Sequence, residues 1–209
     1  MSGPSTKTPN FLPAPSDLER ISQSLATLDA LLAPDWEERW FSHNRVWDEA
    51  AKWRVGSMRK PTGDEVFILF SPAGTILKGN AQKTVALNKP TPALLEGVPE
   101  ALSAFLKDES FELPHTTFCL WNTGAGWKHG TLTGKEDGST ELLKLYAGNA
   151  QDYRAFAQDF FGADVPLKSV QAVLKHLPLD EKLAASINPE IDLGLLEEDL
   201  EEIGYPRGK

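Results

Sequence analysis

Cysteine is almost absent: the chain has one, Cys119, in 209 residues, so no internal disulfide can form and every zinc site needing two or more thiolates is excluded. That usage fits a reducing compartment. Positive charge is also short, with 21 Lys and Arg against 30 Asp and Glu, a net charge of −9. Affinity for nucleic acids rests largely on Lys and Arg displacing counterions from phosphates, so neither DNA nor RNA is expected as a partner, and anionic membranes are disfavoured for the same reason. No apolar run approaches the roughly 18 residues that would cross a bilayer. Residues 1–15 lack the apolar centre of a signal peptide and are rich in Pro, Ser and Thr, which predicts a disordered lead-in to a cytoplasmic protein.

Catalytic and cofactor motifs are missing as well. The four histidines, His43, His115, His129 and His176, show no HxH, HxxxH or HExxH spacing, and the glycines form neither GxGxxG nor GxxxxGK[ST]. No metal or cofactor is therefore expected. His115 and Cys119 would share one face of a strand, yet four residues of strand span about 13 Å, too far for the imidazole to activate the thiol. A buried, inert Cys119 follows.

What is present is a change of period along the chain. After Ser16, a candidate cap, Leu18, Ile21, Leu25, Leu28 and Leu32 recur at spacings of three and four and predict a helix ended by Pro34. Asp35 can cap a second helical stretch toward Lys52, with Ser42 to Asn44 as an optional break. Arg54 to Met58, Val66 to Phe70, Thr75 to Leu77, Thr116 to Trp121 and Trp127 to Thr133 read as strands, the second and third joined in a hairpin. Ala101, Leu102, Phe105 and Leu106 mark an inserted helix, and from Glu141 the pattern is helical again. The expected architecture is α+β: N-terminal helices, an antiparallel sheet of about four or five strands and a C-terminal helical layer, all in one domain over residues 16–206.

Tryptophan is the most distinctive feature. Trp36, Trp40, Trp47 and Trp53 lie close together, while Trp121 and Trp127 flank a Gly-rich turn. On one helix Trp36, Trp40, His43 and Trp47 would form a stripe, which either packs on the sheet or forms an exposed aromatic patch of the kind that anchors protein interfaces. Arg59 and Asp64 belong to a charged loop between two strands, read either as recognition or as a solvated turn with Arg59 paired locally. Residues 188–206 hold seven acidic side chains and no basic one, a solvated flank or a contact for a basic partner.

The segments WFSHNRVWDEAAKWRVGSMRKPTGDEVFILFSPAGTILKG, GVPEALSAFLKDESF, TTFCLW and LEEDLEEIGYP together resemble a family of uncharacterised bacterial proteins. Its members look like immunity or accessory proteins of toxin systems. The sequence departs from that pattern at Lys60-Pro61 and at Gly124-Ala125-Gly126. The resemblance implies no catalytic role. The expected function is a non-catalytic protein-binding module, with Trp36, Trp40, Trp47, Arg59, Asp64, Trp121 and Trp127 as binding residues and a basic protein as partner. Two alternatives stand beside it: a small hydrolase or transferase built from Asp64, Glu65, His115 and His129 at a sheet-edge cleft, or the subunit of a homodimer that buries the tryptophan stripe.

Overall fold

Helix α1 (Pro15–Leu32) opens with proline at its first position, where no amide hydrogen is needed, and Ala14 rather than Ser16 occupies the cap. Its predicted stripe is real, with Leu18, Leu25 and Leu28 fully enclosed. The burial goes further, however. Every residue from Ser24 to Leu31 is buried, so the second half of α1 lies wedged between two layers rather than floating one face in water. The computed structural model describes residues 3–85, 92–111, 116–132 and 136–208.

The sheet is a six-stranded antiparallel meander in simple sequence order, one strand more than the upper expectation. Its strands are β1 (Phe41–Asp48), β2 (Trp53–Arg59), β3 (Glu65–Ser71), β4 (Gly74–Asn80), β5 (Phe118–Asn122) and β6 (Lys128–His129). The extra strand is β1, which occupies the stretch expected to be helical. Residues 36–38 form only one 3-10 turn, capped by Asp35, and the chain then pairs with β2 in the register Phe41 with Met58 and His43 with Gly56. The period that decides is two rather than 3.6: Phe41 and His43 are buried while Ser42 is exposed. The helical spacing of the tryptophans is thus a coincidence overruled by strand pairing. At the other edge, β6 is shorter than the predicted strand, and Thr133 lies outside the described residues.

Strand β3 is apolar without alternation because both faces of the sheet are covered there. On one face Met58, Val66, Ile68, Phe70, Leu77, Phe118, Leu120 and Trp127 pack against α1 and a helical layer. After the short α2 (Gln82–Val85) and α3 (Ser103–Lys107), that layer comprises α4 (Ser139–Leu142), α5 (Ala150–Phe160), α6 (Leu167–Leu174), α7 (Glu181–Ile187) and α8 (Glu197–Ile203). On the opposite face, among the described residues, Val55, Phe67, Leu69, Ile76, Cys119 and Trp121 cluster with Leu102, Phe105 and Phe111 and a few half-buried neighbours. Gly79 has its place because the Phe118 ring fills the space a Cβ would need.

The expected lead-in is docked. Over residues 3–14 a 3-10 turn (Pro9–Phe11) forms, Ser5, Thr6 and Leu12 are buried, and the Thr6 amide donates to Ser139 Oγ at 3.1 Å. Thr6 Oγ1 also donates to Asp137. Polar Ser and Thr side chains that signal disorder in isolation here find partners 131 and 133 residues away. Among the described residues, no helix is long and apolar enough to cross a membrane.

Candidate functional site

At the β1 edge of the sheet a cleft of about 1100 Å³ opens between Phe111 of the cover on one side and residues of α1, α5 and α8 on the other. Its aromatic lining comes from separate elements: Trp36 from the 3-10 turn, Trp40 from the link just before β1, Trp47 from β1, Phe67 from β3, Phe111 from the cover and Phe160 from α5. Trp36 is 71% exposed and Trp47 is 41% exposed, although the Trp47 ring still leans on Phe111 at 5.4 Å. Trp40 is held more firmly, with its ring centroid 4.7 Å from both Phe156 and Phe160. Four of the seven residues singled out in the sequence, Trp36, Trp40, Trp47 and Arg59, line this one cleft.

The other three are placed elsewhere. Trp121 is 3% exposed under the cover, and Trp127 is 9% exposed with its indole donating to the Pro13 carbonyl at 2.8 Å. Asp64 is buried at the β2–β3 turn, where it accepts the Gln82 amide at 2.9 Å and pairs with Lys60 at 3.7 Å. The tryptophan stripe does not exist as a helical face. His43, its fourth member, turns to α1 and places Nδ1 3.1 Å from Ser22 Oγ.

The charges of the cleft are partly spoken for. Lys60 Nζ sits 5.2 Å above the Trp40 ring and the Arg59 guanidinium 5.0 Å above Phe67, so the protein's own cations cover two aromatic faces. Arg39 pairs with Asp199 at 2.8 Å and anchors its turn through the carbonyls of Ala33 and Pro34. The acidic C-terminal run is not a bare flank, because Asp199, Glu201 and Glu197 meet Arg39, Arg45 and Arg207, and Glu202 accepts from Asn44. Glu37 and Glu38, beside Trp36 at the mouth, meet no cation among the described residues.

A single buried acid ties the cleft's walls together. Asp29, completely enclosed on α1, has Oδ2 2.9 Å from both the Trp40 and the Phe41 amides and Oδ1 2.7 Å from Tyr153 Oη. Burial pushes its carboxyl up to about 7, against the opposing pull of those donors and of Arg39. The phenols of Tyr146 and Tyr153 are driven upward by burial and by this acid, so both stay neutral. Sequence reasoning passed over Asp29, yet a signal exists: it is one acid inside the run LATLDALLA, between Leu25 and Leu32 of the buried stripe.

Among the described residues, the groups proposed for catalysis do not converge. His129 on β6 is separated from β3, which Asp64 and Glu65 open, by three strand spacings, about 14 Å. His115 lies outside the described residues. The Ser22 and His43 contact has the right atoms for a nucleophile and base, but burial lowers the imidazole to about 3 and the Ser22 hydroxyl is pressed against Gly56, where a reacting atom would have to sit. Cys119 is buried and its thiol is pushed up to about 12 by burial, an inert core group at neutral pH. Among the described residues no three His, Cys, Asp or Glu side chains are grouped to hold a metal ion.

Compared with protein-family models, curated proteins and solved structures, the chain matches none.

Proposed function

We propose that the protein is a protein-binding module whose aromatic cleft receives an apolar side chain or short segment of a basic partner, in the manner of an immunity-type protein. The observation that carries this reading is the convergence of Trp36, Trp40 and Trp47 in one open cleft, with Glu37 and Glu38 at its mouth and no cation on them among the described residues. Exposed tryptophans are costly to leave in water, and interface anchors are drawn from this residue type because one ring buries much area with few rotatable bonds. The net charge of −9 adds long-range attraction for a basic surface, which raises the encounter rate more than the final affinity.

The test uses two synthetic peptides with the same leucine and tryptophan content, one carrying lysine and arginine and one carrying aspartate and glutamate. The basic peptide is expected to bind with a change in tryptophan fluorescence, and binding is expected to weaken about tenfold or more in a W36A/W47A variant. Raising the salt should slow its association while leaving dissociation nearly unchanged. Equal binding of both peptides, or binding indifferent to the two tryptophans, would overturn the reading. A symmetric dimer in light scattering that dissolves in W36A/W47A would make a second copy of the chain the occupant instead.

A further inference from the structure

Three of the sequence-predicted residues that line the cleft are tryptophans; the fourth, Arg59, is a cation in an acidic protein. Strand pairing fixes where it goes. Arg59 ends β2 opposite Glu65, and Ser57, two residues back, stands opposite Phe67, so Arg59 and Phe67 are diagonal neighbours on one face of the sheet. The guanidinium accordingly lies 5.0 Å over the Phe67 ring. Short side chains continue the same row toward the edge: Ser57, then Ser42 of β1, with their hydroxyls 2.7 Å apart. Both line the cleft, so the space beside the guanidinium is open and its floor is polar.

The cations of the cleft are not equally engaged. Arg39 is 2.8 Å from Asp199, and Lys60 is 3.2 Å from Glu141 and 3.7 Å from Asp64. For Arg59 the nearest carboxylate among the described residues is Glu65 at 4.0 Å, the outer limit of an ion pair, and its side chain is 54% exposed. Asp64, beside Glu65 on the same turn, is committed to the Gln82 amide and to Lys60. The guanidinium is thus stacked on one face, while its N–H donors meet no acceptor at hydrogen-bond distance among the described residues. A planar fork of this kind matches the two oxygens of a carboxylate, and stacking lowers the freedom that a long side chain loses when it pairs.

We propose that Arg59 is the specificity-determining residue of the cleft and pairs with a side-chain carboxylate, aspartate or glutamate, carried by the bound segment next to its apolar anchor. The inference rests on the cleft being the binding site. It makes the segment dipolar within a partner that is basic as a whole. Glu37 and Glu38 on the 3-10 turn favour the segment's lysines or arginines, and Arg59 at the end of β2 favours its acid. A segment with the acid at another spacing brings it toward Glu37 and Glu38 and is repelled, so the same charges that attract one pattern reject others.

An array of short amidated peptides tests it, each with one tryptophan, two lysines and either glutamate or glutamine at one varied position, probed with the whole protein at low salt. Wild type is expected to favour glutamate over glutamine about fivefold at one spacing from the tryptophan, a preference that fades as salt rises. R59Q should lose the preference, R59K should keep only part of it because an ammonium lacks the fork, and R59E should favour lysine at the same position. An unchanged urea midpoint checks that each variant is folded, and R59K decides where R59Q is not. No glutamate preference at any spacing in wild type, or one that survives in R59Q, overturns the inference. A preference for peptides with a free C-terminal carboxylate in place of the glutamate overturns the side-chain assignment. Peptide binding that W36A/W47A weakens and R59Q leaves unchanged overturns the role of Arg59 alone. A glutamate preference lost in R59Q but indifferent to the two tryptophans upholds that role and removes the tryptophan anchor.

Discussion

The two faces of the sheet are closed by very different amounts of chain. One lies under α1, whose second half is buried all round, and under the helical layer behind it; the other, among the described residues, lies under a cover of a few turns from Leu94 to Phe111, which touches β1 only where Phe111 meets Trp47. The thick side spends polar residues on internal contacts such as Ser24 Oγ to the Val173 carbonyl at 2.8 Å. The thin side leaves aromatic surface open at one end. The cleft opens at the β1 edge between this cover and the helical layer, and it takes its lining from both.

The sharpest way to break this comparison is to cut the thick side. Leu28→Ala removes a fully enclosed side chain from the wedge between sheet and helices and should cost about 4 kcal/mol of unfolding free energy, read by urea denaturation as a single cooperative shift. A loss below about 1 kcal/mol would show that this side is loosely packed. On the thin side, Phe105→Ala should cost about 3 kcal/mol but act locally. Cys119 lies under that cover, so its labelling by a thiol reagent should rise roughly a hundredfold in this variant while the rest of the protein stays folded. Labelling that merely follows global unfolding would mean that cover and sheet are one unit.

Proton linkage gives a smaller and signed effect. Asp29, raised to about 7, stabilises the fold below pH 3.8 and loses that contribution as pH rises to 7; His43, lowered to about 3, stabilises above pH 6.5 and loses its contribution as pH falls toward 3. The two slopes oppose each other between about pH 4 and 6.5. Removing one exposes the other: D29N should gain stability with pH more steeply than wild type, by up to about 1.4 kcal/mol per pH unit in that window. Parallel pH profiles of the two proteins would show that Asp29 does not titrate there. The smallest expected change in stability is that of Trp36→Ala, within about 0.5 kcal/mol, because this ring is mostly in water. A large loss of stability from Trp36→Ala would place that residue among the packing groups and not the binding ones.

The sequence was most legible where one physical signal dominated. The stripe of α1, the hairpin of β3 and β4, strand β5, the inserted helix and the buried Cys119 all follow from apolar period or from composition, and the structure has them. It misled where local and tertiary signals disagreed. Residues 35–52 carry tryptophans at helical spacing, but Phe41 and His43 at spacing two were the residues with a core to enter. Of the candidate site, Trp36, Trp40, Trp47 and Arg59 come together by a route other than the one that singled them out, while Trp121 and Trp127 went to the interior. Phe160 and Phe111 were invisible as site residues because only chain reversal brings them near.

By itself, then, the sequence determined the α+β class, the antiparallel pairing of neighbouring strands and the absence of recognisable catalytic motifs, since each depends on residues near one another in the chain. Only the tertiary structure decided that β1 is a strand, that residues 3–14 are docked, and that one buried carboxyl joins three elements behind an open aromatic cleft. The physical reason is common to all three. A backbone amide, a hydroxyl or a carboxyl settles where its hydrogen bonds are satisfied, and here the partners lie from 11 to 133 residues away.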